Sequence, residues 1–107
     1  MEKTNLEMIR GDTLSFAFEV EFDESPQKLE KADFTCKRNF DDDDVLFHKE
    51  LGNGINFSKQ NGKKMYYVVR VAPDDTENIE PGMYYYDLQV ELNKDVFTIL
   101  SGALKIE

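Results

Sequence analysis

Hydrophobic and polar residues alternate through TLSFAFEVEF at positions 13–22. Leu14, Phe16, Phe18, Val20 and Phe22 fall on one side, and Ser15, Ala17, Glu19 and Glu21 on the other. Period-two alternation predicts a half-buried β-strand, because successive strand side chains point to opposite faces. The following DESPQKLEK at 23–31 breaks the pattern with Pro26 and charge and reads as a loop. In ADFTCKRNF at 32–40, Phe34, Cys36 and Phe40 share a face while Thr35, Lys37 and Asn39 point away, which predicts a second strand. A short strand, VLFHKE, follows the aspartate run at 41–44, and the two glycines of LGNGINF mark a turn or bulge.

Asn61-Gly62 is the strongest hairpin signal, since the dipeptide favours the left-handed conformations of a tight primed turn. It separates INF at 55–57 from MYYVVRV at 65–71, whose Met65, Tyr67, Val69 and Val71 form one face and Tyr66, Val68 and Arg70 the other. APDDTENIEPG at 72–82 is polar and proline-punctuated, with room for one helical turn. From 83 to 92 the alternation returns. Tyr84, Tyr86, Leu88, Val90 and Leu92 face one way, and Tyr85, Asp87, Gln89 and Glu91 the other, so the three consecutive tyrosines are divided between faces. NKD at 93–95 reads as a three-residue turn, VFTIL as a strand, and Gly102 as an interruption before ALKIE. Seven or eight short strands without an amphipathic helix predict an all-β fold: an antiparallel immunoglobulin-like β-sandwich in a single domain, 1–107, with a small barrel as the alternative.

Composition adds limits on partners. At 107 residues, with eight Phe and five Tyr, the chain can fill one core without a metal or disulfide staple. Its 22 acidic residues against 13 basic ones give a net charge of −9, which repels nucleic-acid phosphates and anionic lipid. Neither nucleic acid nor membrane is therefore expected as a partner, and the acidity serves solubility first. Cys36 is the only cysteine, which leaves no intrachain disulfide and reads as a small buried hydrophobe. No signal-peptide core or membrane-length apolar run is visible, so synthesis in the cytoplasm is expected.

The motifs that tempt a chemical reading are weak. Arg10-Gly11-Asp12 spells an adhesion tripeptide, but Gly-Asp between two strands is ordinary turn chemistry. Counting an EF-hand from Asp41 puts Leu46 and Gly52 where Gly and Glu are needed, so that motif is absent. His48 is the single histidine and has no Cys or second His at zinc-ligand spacing. There is no nucleophile elbow and no phosphate-cradling glycine loop. The expectation is a noncatalytic protein with no catalytic residue, cofactor or metal. Tyr84 and Tyr86, after Pro81-Gly82, fit the tyrosine corner of Greek-key sandwiches, and the pattern does not choose between them. Tyr66 and Tyr85, with Arg70 and Gln89 on their outward faces, are the candidate interface residues.

Four stretches carry a resemblance: IRGDTLSFAFEV, LEKADFTCK, VAPDDTENIEPGMYYYDLQVEL and TILSGALKIE. Together they resemble small immunoglobulin-like structural proteins of tailed bacteriophages and prophages, related in design to the N-terminal domains of baseplate upper proteins. In that group an RGDT-like start opens the first long strand, a P-x-DT loop leads into G-x-YYYD, and a G-x-L-x-I strand closes the chain. The resemblance implies a virion or tail-associated role without catalysis. It also implies contacts with other virion proteins, self-association into a homo-oligomer, and a location in the particle after synthesis in a bacterial host. The aspartate run is not part of the pattern. Two rival readings are a carbohydrate-binding or host-adhesion module using Tyr66 and Tyr85 as a stacking platform, and an acidic mimic of nucleic acid.

Overall fold

Burial follows the alternation most closely in the three strands that read most clearly. The computed structural model describes residues 2–39, 41 and 44–107. In β3 (Leu14–Glu21), the odd-numbered positions are exposed and the even-numbered ones turn toward the core. In β7 (Lys64–Val71) and β8 (Gly82–Leu92), the inward residues Met65, Tyr67, Val69, Val71, Tyr84, Tyr86, Leu88 and Val90 are each no more than 4% exposed. The remaining elements are β1 (Glu2–Lys3), β2 (Leu6–Met8), β4 (Lys31–Lys37), β5 (Val45–Leu51), β6 (Gly54–Asn61), the helical turn α1 (Pro73–Thr76) and β9 (Asp95–Ile106). The inward placement expected for Phe40 falls outside the described residues.

The strands follow one path, β1-β9-β8-β4-β5-β6-β7-β3, with β2 also paired to β9. The sheet comes close to closing as a barrel. The all-β class is as expected. The finer expectation, a purely antiparallel sandwich of seven or eight strands, meets a mixed sheet with nine strands among the described residues. β1 and β2 run parallel to β9, and β5 runs parallel to β6 for two residue pairs, Glu50 with Gly54 and Leu51 with Ile55. All other pairings are antiparallel.

The core joins the β9-β8-β4-β5 half to the β6-β7-β3 half. Phe34 of β4 meets Phe16 of β3 edge-on at 5.6 Å between ring centroids, and stacks on Tyr86 of β8 at 5.3 Å. Burial of one such ring contributes roughly 1.5–3 kcal/mol. Cys36 lies beside it, fully buried, with its thiol pushed up to about 12 by desolvation; it is an inert core residue.

Hydroxyl groups on the buried rings tie loops to this core. Tyr84 donates to the Glu80 carbonyl four residues back, which identifies it as the corner tyrosine. Tyr86 donates instead to the Thr4 carbonyl and holds the N-terminal segment. Tyr67 accepts the Leu29 amide at 3.0 Å, and Leu29 itself is only 5% exposed. The segment that reads as a polar loop therefore supplies a core residue. Thr76 of α1 is fully buried and accepts the Gly11 amide at 3.0 Å, linking the RGDT turn to the PDDT turn. Neighbouring Asp75 accepts the Ala72 amide at 2.7 Å and pairs with Lys49 of β5 at 2.6 Å.

Three turn expectations change in detail. In the β6–β7 hairpin, Asn61 still pairs with Lys64, so the loop is Gly62-Lys63 with positive φ at Gly62 alone, as a II′ turn requires. The β8–β9 loop is two residues, not three: Asn93 and Lys94 both have positive φ, and Asp95 already pairs with Leu92. Gly102 does not interrupt β9, where it pairs with Tyr86; the register shift against β8 falls instead at Ile99, between the Leu88–Leu100 and Gln89–Thr98 pairs. Gly102 is required for another reason: a Cβ there would lie 2.2 Å from the Thr4 carbonyl oxygen of the crossing N-terminal segment.

Candidate functional site

The register of the ladders decides which outward side chains share a surface. On the β9-β8-β4-β5 half, Tyr85 lies between Lys37 and Ala103, Asp87 between Thr35 and Ser101, and Gln89 between Asp33 and Thr98. Thr35 and Asp33 in turn oppose His48 and Glu50 of β5. All of these belong to one outer face. Met83 and Tyr85, two residues apart on β8, are 58% and 43% exposed and form an apolar patch on it. Gln89 lies toward the hairpin end and donates to Thr98 Oγ1 at 3.3 Å.

Tyr66 and Arg70 occupy the other half. Tyr66 opposes Glu19 and Lys59, and the Lys59 ammonium lies 5.2 Å from its ring centroid. Arg70 is exposed opposite Ser15. Three strands, β4, β5 and β6, separate β7 from β8 along the sheet. The four candidate interface residues are thus not brought together: Tyr85 and Gln89 share one face, while Tyr66 and Arg70 share another. A stacking platform built jointly from Tyr66 and Tyr85 is not formed.

The outer face that holds Tyr85 also carries a group that the linear spacing concealed. Among the described residues, Asp33, His48 and Glu50 bring one imidazole nitrogen and two carboxylate oxygens within 4.8 Å of one another. His48 Nε2 and Asp33 Oδ1 are hydrogen-bonded at 2.8 Å. The partners sit 15 and 17 positions from Asp33 in the chain, and only the β4–β5 register reveals them. Beside the group lies a shallow groove of about 270 Å³ lined by Glu30, Lys31, Ala32, Asp33, Glu50 and Leu51. Lys31 is turned toward Glu91, at 3.9 Å. Asp87, next to Asp33 on the same face, is half-buried; desolvation raises its carboxyl above the usual range, Lys37 lowers it and Asp33 raises it further.

A second groove, about 240 Å³, lies where the sheet fails to close, between Ala17, Phe18 and Glu19 of β3 and Ile99 and Leu100 of β9. Further along β9, the exposed Val96 pairs with Glu91 at the hairpin end of the outer face, and the exposed Phe97 pairs with Val90. Arg10-Gly11-Asp12 forms a turn held by the Gly11 to Thr76 bond and by Asp12 N donating to the Ile9 carbonyl at 3.0 Å. Of the aspartate run, Asp41 and Asp44 are exposed, and Asp42 and Asp43 fall outside the described residues.

No protein-family profile and no curated protein matches the chain. Among solved structures, a family 123 glycoside hydrolase from Clostridium perfringens, studied for glycolipid glycan hydrolysis, superposes with a TM-score of 0.60 at 14% identity. That match covers 100% of this chain and 23% of the hydrolase chain. A structure of voltage-gated sodium channel beta subunits, concerned with multimeric cell-adhesive interactions, gives 0.47 at 12% identity over 98% of this chain and 92% of its own. Parallel homodimers of the beta4 extracellular domain give 0.39 at 15%, over 99% and 92%. The similarity to the hydrolase, at this identity, is one of fold alone.

Proposed function

We propose that this chain is a noncatalytic structural subunit of a phage or prophage particle, an immunoglobulin-like sandwich that binds other virion proteins through the outer face of β9-β8-β4-β5. In this reading the two layers are the β9-β8-β4-β5 and β6-β7-β3 halves, whose strand ladders meet at the short, two-pair β5–β6 contact. The observation that carries the binding reading is the adjacent exposure of Met83 and Tyr85 in a face otherwise bounded by Lys37, Asp87 and Gln89. An exposed aromatic within a polar rim is the usual composition of a protein contact.

The virion assignment is supported by where the resembling stretches go. RGDT meets PDDT through the Gly11 to Thr76 bond, YYYD supplies the Tyr84 and Tyr86 anchors, and the G-x-L-x-I strand supplies the close approach at Gly102. Each motif has a structural task that a shared fold would retain. The negative charge would favour a basic partner surface and disfavour promiscuous contacts. Self-association around a particle axis would give a closed ring.

The test is quantitative mass spectrometry of particles purified from a host that carries the gene. The protein should be present in fixed proportion to the other structural components, and a folded Tyr85→Lys variant should be lost from the particles. Its absence from wild-type particles would overturn the assignment.

A further inference from the structure

We infer that Asp33, His48 and Glu50 form a binding site for a divalent transition-metal ion of the zinc type. One imidazole and two carboxylates are a donor set that such ions accept, whereas calcium and magnesium prefer oxygen alone. The donors stand on adjacent strands of a hydrogen-bonded hairpin, Asp33 directly opposite Glu50 and His48 opposite Thr35, so the backbone already fixes their spacing. Tetrahedral zinc with bonds of about 2.1 Å places its donor atoms about 3.4 Å apart. His48 Nε2 and Asp33 Oδ1 lie at 2.8 Å, and no two of the three atoms are more than 4.8 Å apart, so the donors stand within reach of that spacing. Small torsions of partly exposed side chains reach the bound geometry without moving the strands.

The surroundings favour a cation. Glu30 lines the adjoining groove, and Lys31, also in its lining, is largely exposed and lies 3.9 Å from Glu91. Three protein donors leave at least one coordination position for water or for a donor on another molecule. Binding does not depend on the particle assignment, because the ligands all come from one chain.

Isothermal titration of the tag-free protein with ZnCl₂, paired with visible absorption on CoCl₂ addition, tests the site. One zinc ion per chain is expected, together with cobalt d–d bands. His48→Gln and Glu50→Gln should each weaken zinc binding by more than about 10-fold, with circular dichroism unchanged. Asp41→Asn with Asp44→Asn should leave binding as it was, and CaCl₂ should not compete. Absence of zinc binding, or binding that survives in both His48→Gln and Glu50→Gln, would reduce the group to a surface histidine–aspartate pair.

Discussion

Lys94 holds a φ of 69° at the second position of a two-residue hairpin loop, where glycine is the residue without a steric penalty. A left-handed non-glycine residue costs on the order of 1 kcal/mol, partly offset by the chain entropy that glycine would lose on folding. Lys94→Gly is therefore expected to raise stability by about 0.5 kcal/mol, read as a higher urea midpoint at unchanged slope. Asp87 provides the pH-dependent counterpart. Its folded-state carboxyl binds a proton more tightly than in the unfolded chain, because burial penalises the charge and Asp33 adds to that penalty against the pull of Lys37. Its contribution is thus most favourable below the ordinary carboxylate range and is lost as pH rises through the raised value. Asp87→Asn should raise the urea midpoint at pH 7 in the presence of EDTA, with the gain shrinking as the medium is acidified. An unchanged gap between variant and wild type at low pH would contradict the burial argument. Neither effect is readable in a linear sequence: Lys94 looks like an ordinary turn lysine, and Asp87 like any solvated carboxylate in an alternating strand.

At the scale of elements, the long alternating strands were legible because one face is buried and the other is not. β3, β7 and β8 each show that contrast, and their inward residues match the alternation residue by residue. β1 and β2 carry no such signal. They have two and three residues and exist by pairing with β9, nearly a whole chain length away. Gly102 misleads for the same reason, since its purpose is set by Thr4 rather than by its own strand. Gly102→Ala should cost about 1–3 kcal/mol as an overpacking change. Because the clash falls on the crossing segment, amide hydrogen exchange should accelerate first at Thr4, whose N–H donates to the Ser101 carbonyl. The Asp33–His48–Glu50 group was equally hidden: strand β4 and strand β5 were both visible, but their register depends on a connection that includes the aspartate run. The tyrosines were half legible. Alternation separates the buried Tyr84 and Tyr86 from the exposed Tyr85, and only the hydrogen bonds distinguish the corner from the N-terminal anchor.

For the whole molecule, the two outward faces have different character. One presents Met83 and Tyr85 uncovered; on the other, the Tyr66 ring is already engaged by Lys59. A binding role concentrated on the first face predicts that contacts in the particle are made through position 85 and not through position 66. The decisive measurement is site-specific photo-crosslinking: a photoreactive phenylalanine is placed at Tyr85 or Tyr66, the variant is expressed in the particle-producing host, and crosslinked products are identified by mass spectrometry. The account predicts a discrete product from position 85, joined to another virion protein or to a second copy of this chain, and none from position 66. Crosslinks from position 66 alone, or from neither position in particles that contain the protein, would contradict it.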